Sequence, residues 1–387
     1  MTTLPVNADQ FLLRPDMAFL NHGSFGACPR PVFEEYQRWQ RVLEEQPVEF
    51  LGRRMDERLA EARSKLAAYV NSDPDDLVYV PNATYGVNIV AHSLKLQPGD
   101  EILGTNHEYG ACERAWRFNC NRTGAVYVTQ HIDLEPKSAE DFVNQLWEGV
   151  TPRTKVIFLS HISSPTATIF PVTEVCRRAR AEGILTVVDG AHALGQIDLD
   201  MQAIDADFYT GNAHKWLMAP KSAAFLYARR EYQDLLEPLV VSWGWESRKP
   251  YRPNFLEYFE WRGTHDPAAY LAVPAAIDFQ ASYNWPAVRA ACHELASQAR
   301  ARISELTGVP PVHDESTTWW SQMTLLSLPS DCDHSELKAR LWDEYKVEIP
   351  ETSWGDRKFL RLSVQSYTSQ EHIDRLVTGV RNILELG

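Results

Sequence analysis

From about residue 77 onward the chain alternates short apolar runs with polar, helix-like stretches, and this alternation limits the possible folds more than any other feature. The runs are Leu77–Val80, Glu101–Leu103, Ala125–Val128, Lys155–Leu159, Ile184–Val188, Asp207–Thr210 and Ala223–Tyr227. Several are rich in Val, Ile and aromatic residues with little polar alternation, as strands covered on both faces are. Segments between them, such as Glu174–Glu182, read as helices. Strands alternating with helices predict an α/β domain around a mostly parallel, seven-stranded sheet flanked by helices.

The two ends differ. Val32–Glu45 and Met55–Val70 read as amphipathic helices, preceded by the turn Asn21-His22-Gly23-Ser24-Phe25-Gly26. Beyond about residue 285 a long helix, Trp285–Leu306, leads to a strand at Gln322–Leu328, a helix at His334–Glu344, a strand at Lys358–Val364 and a last helix from Gln370. This predicts a smaller α+β C-terminal domain. The 387 residues exceed one ordinary core. The expected division is an N-terminal segment, 1–30, packing on the small domain and the cleft; a large domain, 31–265; and a linking helix with the small domain, 266–387.

Charge and cysteine usage narrow the function classes. The net charge is −14, with no basic stripe, which argues against nucleic acid as a partner. No stretch approaches 18 apolar residues, and no basic segment followed by an apolar run opens the chain, so neither a membrane span nor a signal peptide is expected. Cys28, Cys112, Cys120, Cys176, Cys292 and Cys332 lack metal-ligand spacing and read as free thiols in the cytoplasm. No metal site is expected.

Two segments carry the chemistry. In Ile184-Leu185-Thr186-Val187-Val188-Asp189-Gly190-Ala191-His192 an apolar run ends in an aspartate. Ligands of open α/β sheets bind beyond the carboxyl ends of strands, so Asp189 either faces a ligand or caps the next helix. In Asp207-Phe208-Tyr209-Thr210-Gly211-Asn212-Ala213-His214-Lys215-Trp216 the following run ends in a turn bearing a lysine. Most lysines are solvated, but desolvation turns a lysine into a nucleophile toward carbonyls. Together the two supply what a pyridine cofactor needs: a carboxylate for its ring nitrogen and an amine for a Schiff base.

The ordered set Val187-Val188-Asp189-Gly190-Ala191-His192, Gly211-Asn212-Ala213-His214-Lys215-Trp216 and Trp261-Arg262-Gly263-Thr264-His265-Asp266 resembles the class V aminotransferase family. These are pyridoxal 5′-phosphate (PLP) enzymes of fold type I. The chain is most similar to the isopenicillin N epimerase-like branch, which includes cysteine-conjugate C–S lyases. The likeness runs from Phe19-Leu20-Asn21-His22-Gly23 to Arg361-Leu362-Ser363. It implies that Asp189 pairs with the pyridine nitrogen, that His192 lies near the 3-hydroxyl, and that Lys215 holds PLP and later moves the α-proton. It implies a phosphate turn at Asn82-Ala83-Thr84-Tyr85-Gly86, with Asn212 and His214 on the same phosphate. Helix-start N–H groups and the Thr84 hydroxyl suit that anion. It further implies a homodimer in which Gly263 and Thr264 reach the partner's phosphate, a Tyr109 ring stacked on PLP, and Arg361 on the substrate carboxylate, where a bidentate guanidinium fits. His22, with Asn21, either touches substrate or braces its turn.

Two departures matter. Relatives often carry Asn after the strand end that here reads His161-Ile162-Ser163-Ser164-Pro165-Thr166, so the contact near the 3-hydroxyl falls to Ser164 or is lost. Desulfurases of the family need a mobile cysteine shortly before the carboxylate-binding arginine. The segment Glu348–Arg357 has none, so no thiolate is available to accept sulfur. The expected substrate is a small amino acid derivative. The expected reaction is β-elimination from an S-conjugated cysteine or its sulfoxide, with epimerisation, transamination or decarboxylating deamination as alternatives. Val241-Ser242-Trp243-Gly244-Trp245-Glu246 and Arg248-Lys249-Pro250-Tyr251-Arg252 form either an aromatic, partly cationic wall for a large substrate or a solvated loop.

Overall fold

A computed structural model describes Val6 and residues 8–247 and 252–386. Its centre is a sheet of seven strands: β1 (Leu77–Val80), β2 (Glu101–Thr105), β3 (Val126–Gln130), β4 (Thr154–Ser160), β5 (Leu185–Asp189), β6 (Phe208–Asn212) and β7 (Ala224–Ala228). The order is β1-β7-β6-β5-β4-β2-β3. β2 to β6 are parallel to one another, and β7 runs antiparallel between β1 and β6. The apolar runs lack alternation because both faces are covered. Val156 and Phe158 of β4 pack with Val187, Phe208 and Trp116 on one face, and Ile157 and Leu159 with Val188 and Tyr209 on the other. Each such side chain contributes about 1.5–3 kcal/mol by leaving water.

Helices α1 (Arg30–Glu45), α2 (Met55–Tyr69), α3 (Ala83–Ser93), α4 (Gly110–Thr123) and α5 (Val172–Ala181) flank the sheet. Beyond them come α6 (Trp285–Thr307), β8 (Met323–Leu328), α7 (His334–Tyr345), β9 (Glu351–Trp354), β10 (Arg357–Ser363) and α8 (Gln370–Ile383). The three strands form an antiparallel sheet ordered β9-β10-β8. β9 has no signature in the sequence: it is short and polar, and exists by pairing with β10 from Glu351–Leu360 to Trp354–Arg357. One of the two faces of the large sheet shares a continuous apolar core with α6 and α8.

The N-terminal segment ties the small sheet to the cleft. Ala18–Phe19 pairs in parallel with Val347–Glu348, and the Ser363 N–H donates to the Leu20 carbonyl at 2.9 Å. The turn expected at residues 21–26 contains a single helical turn, His22–Phe25. It ends at Gly26, whose φ is 71°. A Cβ there would lie 2.0 Å from the His214 carbonyl oxygen, so only glycine lets this segment rest on the backbone beside Lys215.

Candidate active site

Asp189 closes β5, where the register sets it beside Ser160 of β4 and Thr210 of β6. The chain then turns sharply. The Gly190 N–H donates to the Thr210 carbonyl at 2.7 Å, and a Cβ at residue 190 would come within 2.1 Å of the Tyr209 hydroxyl. The Asp189 carboxylate is buried. Its Oδ1 accepts the Ala191 N–H at 3.0 Å and its Oδ2 accepts the Cys112 S–H at 3.3 Å. Burial raises its pKa, and these two donors, with the charge of Lys215, oppose the rise.

β6 delivers Lys215 three residues past its end. The Trp216 indole N–H, which can only donate, points at His192 Nδ1 from 3.3 Å. His192 therefore accepts at Nδ1 and carries its proton on Nε2. That nitrogen lies 3.0 Å from Lys215 Nζ, and its N–H can donate there only to a neutral amine. The electrostatics agree. Burial, then the positive charge of Arg361, lowers the Lys215 pKa to about 7, and burial holds His192 well below its ordinary value.

His22 lies beneath this pair. Its Nε2–H donates to the Lys215 carbonyl at 3.0 Å and its Nδ1 accepts from the Tyr367 hydroxyl at 2.9 Å. Burial lowers its pKa to about 3. Asn21 donates to Glu348 and accepts from Ser24. Both residues brace the wall from behind, and neither borders the cavity.

Arg361 reaches in from β10. Its Nη1 donates to the Ser164 carbonyl at 2.6 Å and hydroxyl at 3.0 Å, and its Nη2 to the Ser24 hydroxyl at 3.3 Å. Its buried Nε has no partner. Burial lowers its pKa to about 10, opposed by the nearby Tyr109 phenol. A desolvated, unpaired guanidinium with an idle N–H suits an incoming carboxylate.

At the opposite wall, Asn82 caps α3 by accepting the Tyr85 N–H at 2.8 Å, and Asn212 Oδ1 accepts the Ala83 N–H at 2.8 Å. Two first-turn donors are thus engaged by side chains, while the Thr84 N–H and hydroxyl stand between them. His214 Nδ1–H donates to the Ala223 carbonyl at 3.1 Å.

One cavity of about 860 Å³ collects Asn82, Ala83, Thr84, Tyr109, Ser164, Asp189, His192, Asn212, His214, Lys215 and Arg361. Gly263 and Thr264 lie outside it, Thr264 being exposed. Trp243 is 86% exposed, and Trp245 stacks on Tyr258. Neither borders the cavity, so within one chain they form no substrate wall. Of the basic stretch only Arg252 lies within the described residues, and it pairs with Asp56, Glu257 and Glu260. Ser24, Ser160, Cys112 and Lys221 also belong to the site or its support, and sequence reasoning did not single them out; Trp216 was read there only as a neighbour of Lys215. Ser160 and Trp216 follow strand ends, a signal that was available. Cys112 carries none. Among the described residues no helix is long and apolar enough to cross a membrane.

A desolvated lysine and a buried aspartate lining one cavity with an anion-ready turn fit pyridoxal phosphate, and a guanidinium with no carboxylate partner among the described residues stands ready for its substrate. Fold and site together define a PLP-dependent enzyme of fold type I. Residues 28–376 match the family model Aminotransferase class-V, and the chain belongs to that family. It is 35% identical to isopenicillin N epimerase of Amycolatopsis lactamdurans over 97% of each chain. It is 25% identical to hercynylcysteine sulfoxide lyase of Schizosaccharomyces pombe, over 97% of this chain and 96% of that one. The crystal structure of the cysteine desulfurase CsdA from Escherichia coli superposes with a TM-score of 0.82 at 24% identity, covering 98% of each chain. The cofactor is pyridoxal phosphate and the protein is an enzyme.

Proposed function

We propose that this enzyme takes an amino acid by its carboxylate on Arg361, removes the α-proton with Lys215, and expels sulfur from Cβ, acting as a C–S lyase on an S-conjugated cysteine or its sulfoxide. The observation that carries this reading is the Lys215 amine, half-buried in the cavity lining and held as a neutral acceptor by the His192 Nε2–H at 3.0 Å. A neutral amine at pH 7 is a base, and a protonated one is not.

PLP, when bound, supplies an electron sink for charge at Cα. Asp189 would hold the proton on its ring nitrogen, the Thr84 turn with Asn212 and His214 would hold its phosphate, and Tyr109, Ser164 and His192 would border its ring. Arg361 fixes the carboxylate, and so decides which Cα bond points toward Lys215. Among the described residues no cysteine borders the cavity, so expelled sulfur leaves with its own substituent and is not stored on the protein.

The second reading is epimerisation. It is favoured by the 35% identity to isopenicillin N epimerase and by the Tyr109 phenol, a further hydroxyl at the cavity wall. Both readings share the first proton transfer and diverge at the second step. The test is incubation of the holoenzyme with S-substituted cysteines in deuterium oxide. A lyase yields pyruvate in step with a sulfur product. An epimerase yields no pyruvate, and puts deuterium at Cα of a surviving substrate whose handedness is scrambled. A decarboxylated product overturns both.

A homodimer with shared sites completes this reading. Gly263 and Thr264 lie outside their own chain's cavity, where they would be free to serve a partner's phosphate. Val240, Val241 and Trp243 form an exposed apolar patch that such a partner would cover. Sedimentation of an active monomer refutes it. Six unpaired cysteines suit a reducing cytoplasm. We place the domain boundaries near residues 30 and 265.

A further inference from the structure

Lys221 is a cation of the cavity for which neither proton transfer nor elimination has a use. It lies six residues beyond Lys215, after Pro220, and borders the cavity beside Ser24, Phe25 and Ser222. Among the described residues it has no carboxylate partner. Lys221 is exposed at the cavity mouth; partial desolvation by the neighbouring walls lowers its pKa, and the only group opposing that shift is the Cys28 thiol. Burial drives that thiol's own pKa to about 12, which leaves it neutral. With Lys215 held neutral, the cavity lining sets the cations Lys221 and Arg361 against a single carboxylate, Asp189, which already has Ala191 and Cys112 as donors.

Its position is toward the outside. Lys221 also borders a second cavity of about 310 Å³, lined by Leu12, Leu13, Ala27, Phe33 and Tyr36, so it stands where the main cavity meets a side chamber. Phe25, 71% exposed, lies at the same rim.

We propose that Lys221 reads an anionic group at the far end of the substrate side chain, so that the preferred substrates are amino acids with a second carboxylate or a comparable acidic oxygen group. This rests on the amino-acid reading of the site and narrows its substrate class. Arg361 and Lys221 then act as two anchors, one for the α-carboxylate and one for the distal anion, with the reacting Cα and Cβ atoms between them.

The alternative source of an anion is the cofactor phosphate, since Lys221 is close enough to His214 to lower its pKa. The experiment separates the two. Matched amino acids of equal length, glutamate with norvaline and 2-aminoadipate with norleucine, differ only in a terminal carboxylate and lack a β leaving group. Their dissociation constants for the holoenzyme are read from the change in cofactor absorbance. PLP affinity is measured separately, by fluorescence quenching of the apoprotein. In the wild type at least one acid binds about tenfold more tightly than its neutral match, the worth of one charge-assisted hydrogen bond. Lys221→Met removes that preference, Lys221→Arg keeps it, and PLP affinity stays within about threefold in both. Equal binding of acid and neutral match in both pairs overturns the inference. So does a preference that survives Lys221→Met, or a loss of PLP affinity of about tenfold in Lys221→Met. If none of the four amino acids perturbs the cofactor spectrum, the amino-acid reading itself falls, which is a different result.

Discussion

Burying Lys215 should make the apoprotein less stable than it could be, by an amount that depends on pH. Its pKa is lowered from an ordinary 10.5 to about 7, chiefly by burial and then by Arg361. Between those two values the unfolded chain holds a proton that the folded chain does not, so stability rises with pH across that window. Well below pH 7 the full penalty is about 5 kcal/mol; at pH 7 it is about 4 kcal/mol, and at about pH 9.5 it has shrunk to about 1 kcal/mol. Lys215→Met keeps the stem and removes the titrating group. It also leaves the His192 Nε2–H without an acceptor, at about 1–3 kcal/mol. That loss is the same at both pH values and drops out of the comparison.

The apo form of Lys215→Met should therefore be more stable than wild-type apoprotein near pH 7 by about 1–3 kcal/mol, and should lose about 3 kcal/mol of that advantage by about pH 9.5. Urea unfolding followed by circular dichroism at the two pH values measures it. PLP must be absent, because a ligand that binds only the folded state adds its own stabilisation. A difference between variant and wild type that is constant with pH to within about 1 kcal/mol would refute the argument that Lys215 is held as a neutral amine by burial.

Arg361→Lys should raise KM for amino acids about 10–100-fold while leaving the PLP absorbance in place, because lysine keeps the charge but loses the planar fork; steady-state kinetics and a spectrum decide it. Cys112→Ala removes the donor on Asp189 Oδ2. The carboxyl pKa, already raised by burial, rises further, so PLP binding should fail at a higher pH on the acid side than in wild type, with affinity down about fivefold there. A PLP titration against pH that matches wild type would count against that hydrogen bond. Glu260 is buried between Arg63 and Arg252, and Glu260→Gln should cost about 1.5–3 kcal/mol, the worth of charge-assisted hydrogen bonds, because Arg63 keeps Asp75 and Arg252 keeps Asp56 and Glu257; thermal melting at fixed PLP checks it.

The large sheet was legible because its strands are covered on both faces. Val156, Ile157, Phe158 and Leu159 are all apolar although they point alternately to opposite sides, so the run itself marks the strand. β9 was not, since Glu351-Thr352-Ser353-Trp354 is held by its partner strand and by Thr352 donating to the Pro165 carbonyl at 3.1 Å. No local pattern encodes a contact 187 residues away. The same distinction runs through the site. Asp189 and Lys215 could be read because each follows an apolar run at a strand's carboxyl end, where ligands bind.

What escaped the sequence is the layer that sets their protonation. Cys112 sits in the first turn of α4, 77 residues before the carboxylate it donates to. Trp216 matters only because the turn after β6 swings its indole back to His192. Glu108, whose pKa burial raises to about 7, accepts from Thr105 and from the backbone and hydroxyl of Ser160, and Ser160 is the register partner of Asp189. Each of these groups acts by hydrogen-bond geometry across strands, and residue type alone does not specify it. The consequence is chemical. A lysine and an aspartate at successive strand ends define which cofactor is held. Whether the lysine is a base at pH 7 depends on its desolvation and on Arg361, and on a His192 tautomer, fixed by the Trp216 indole, that can donate to a neutral amine.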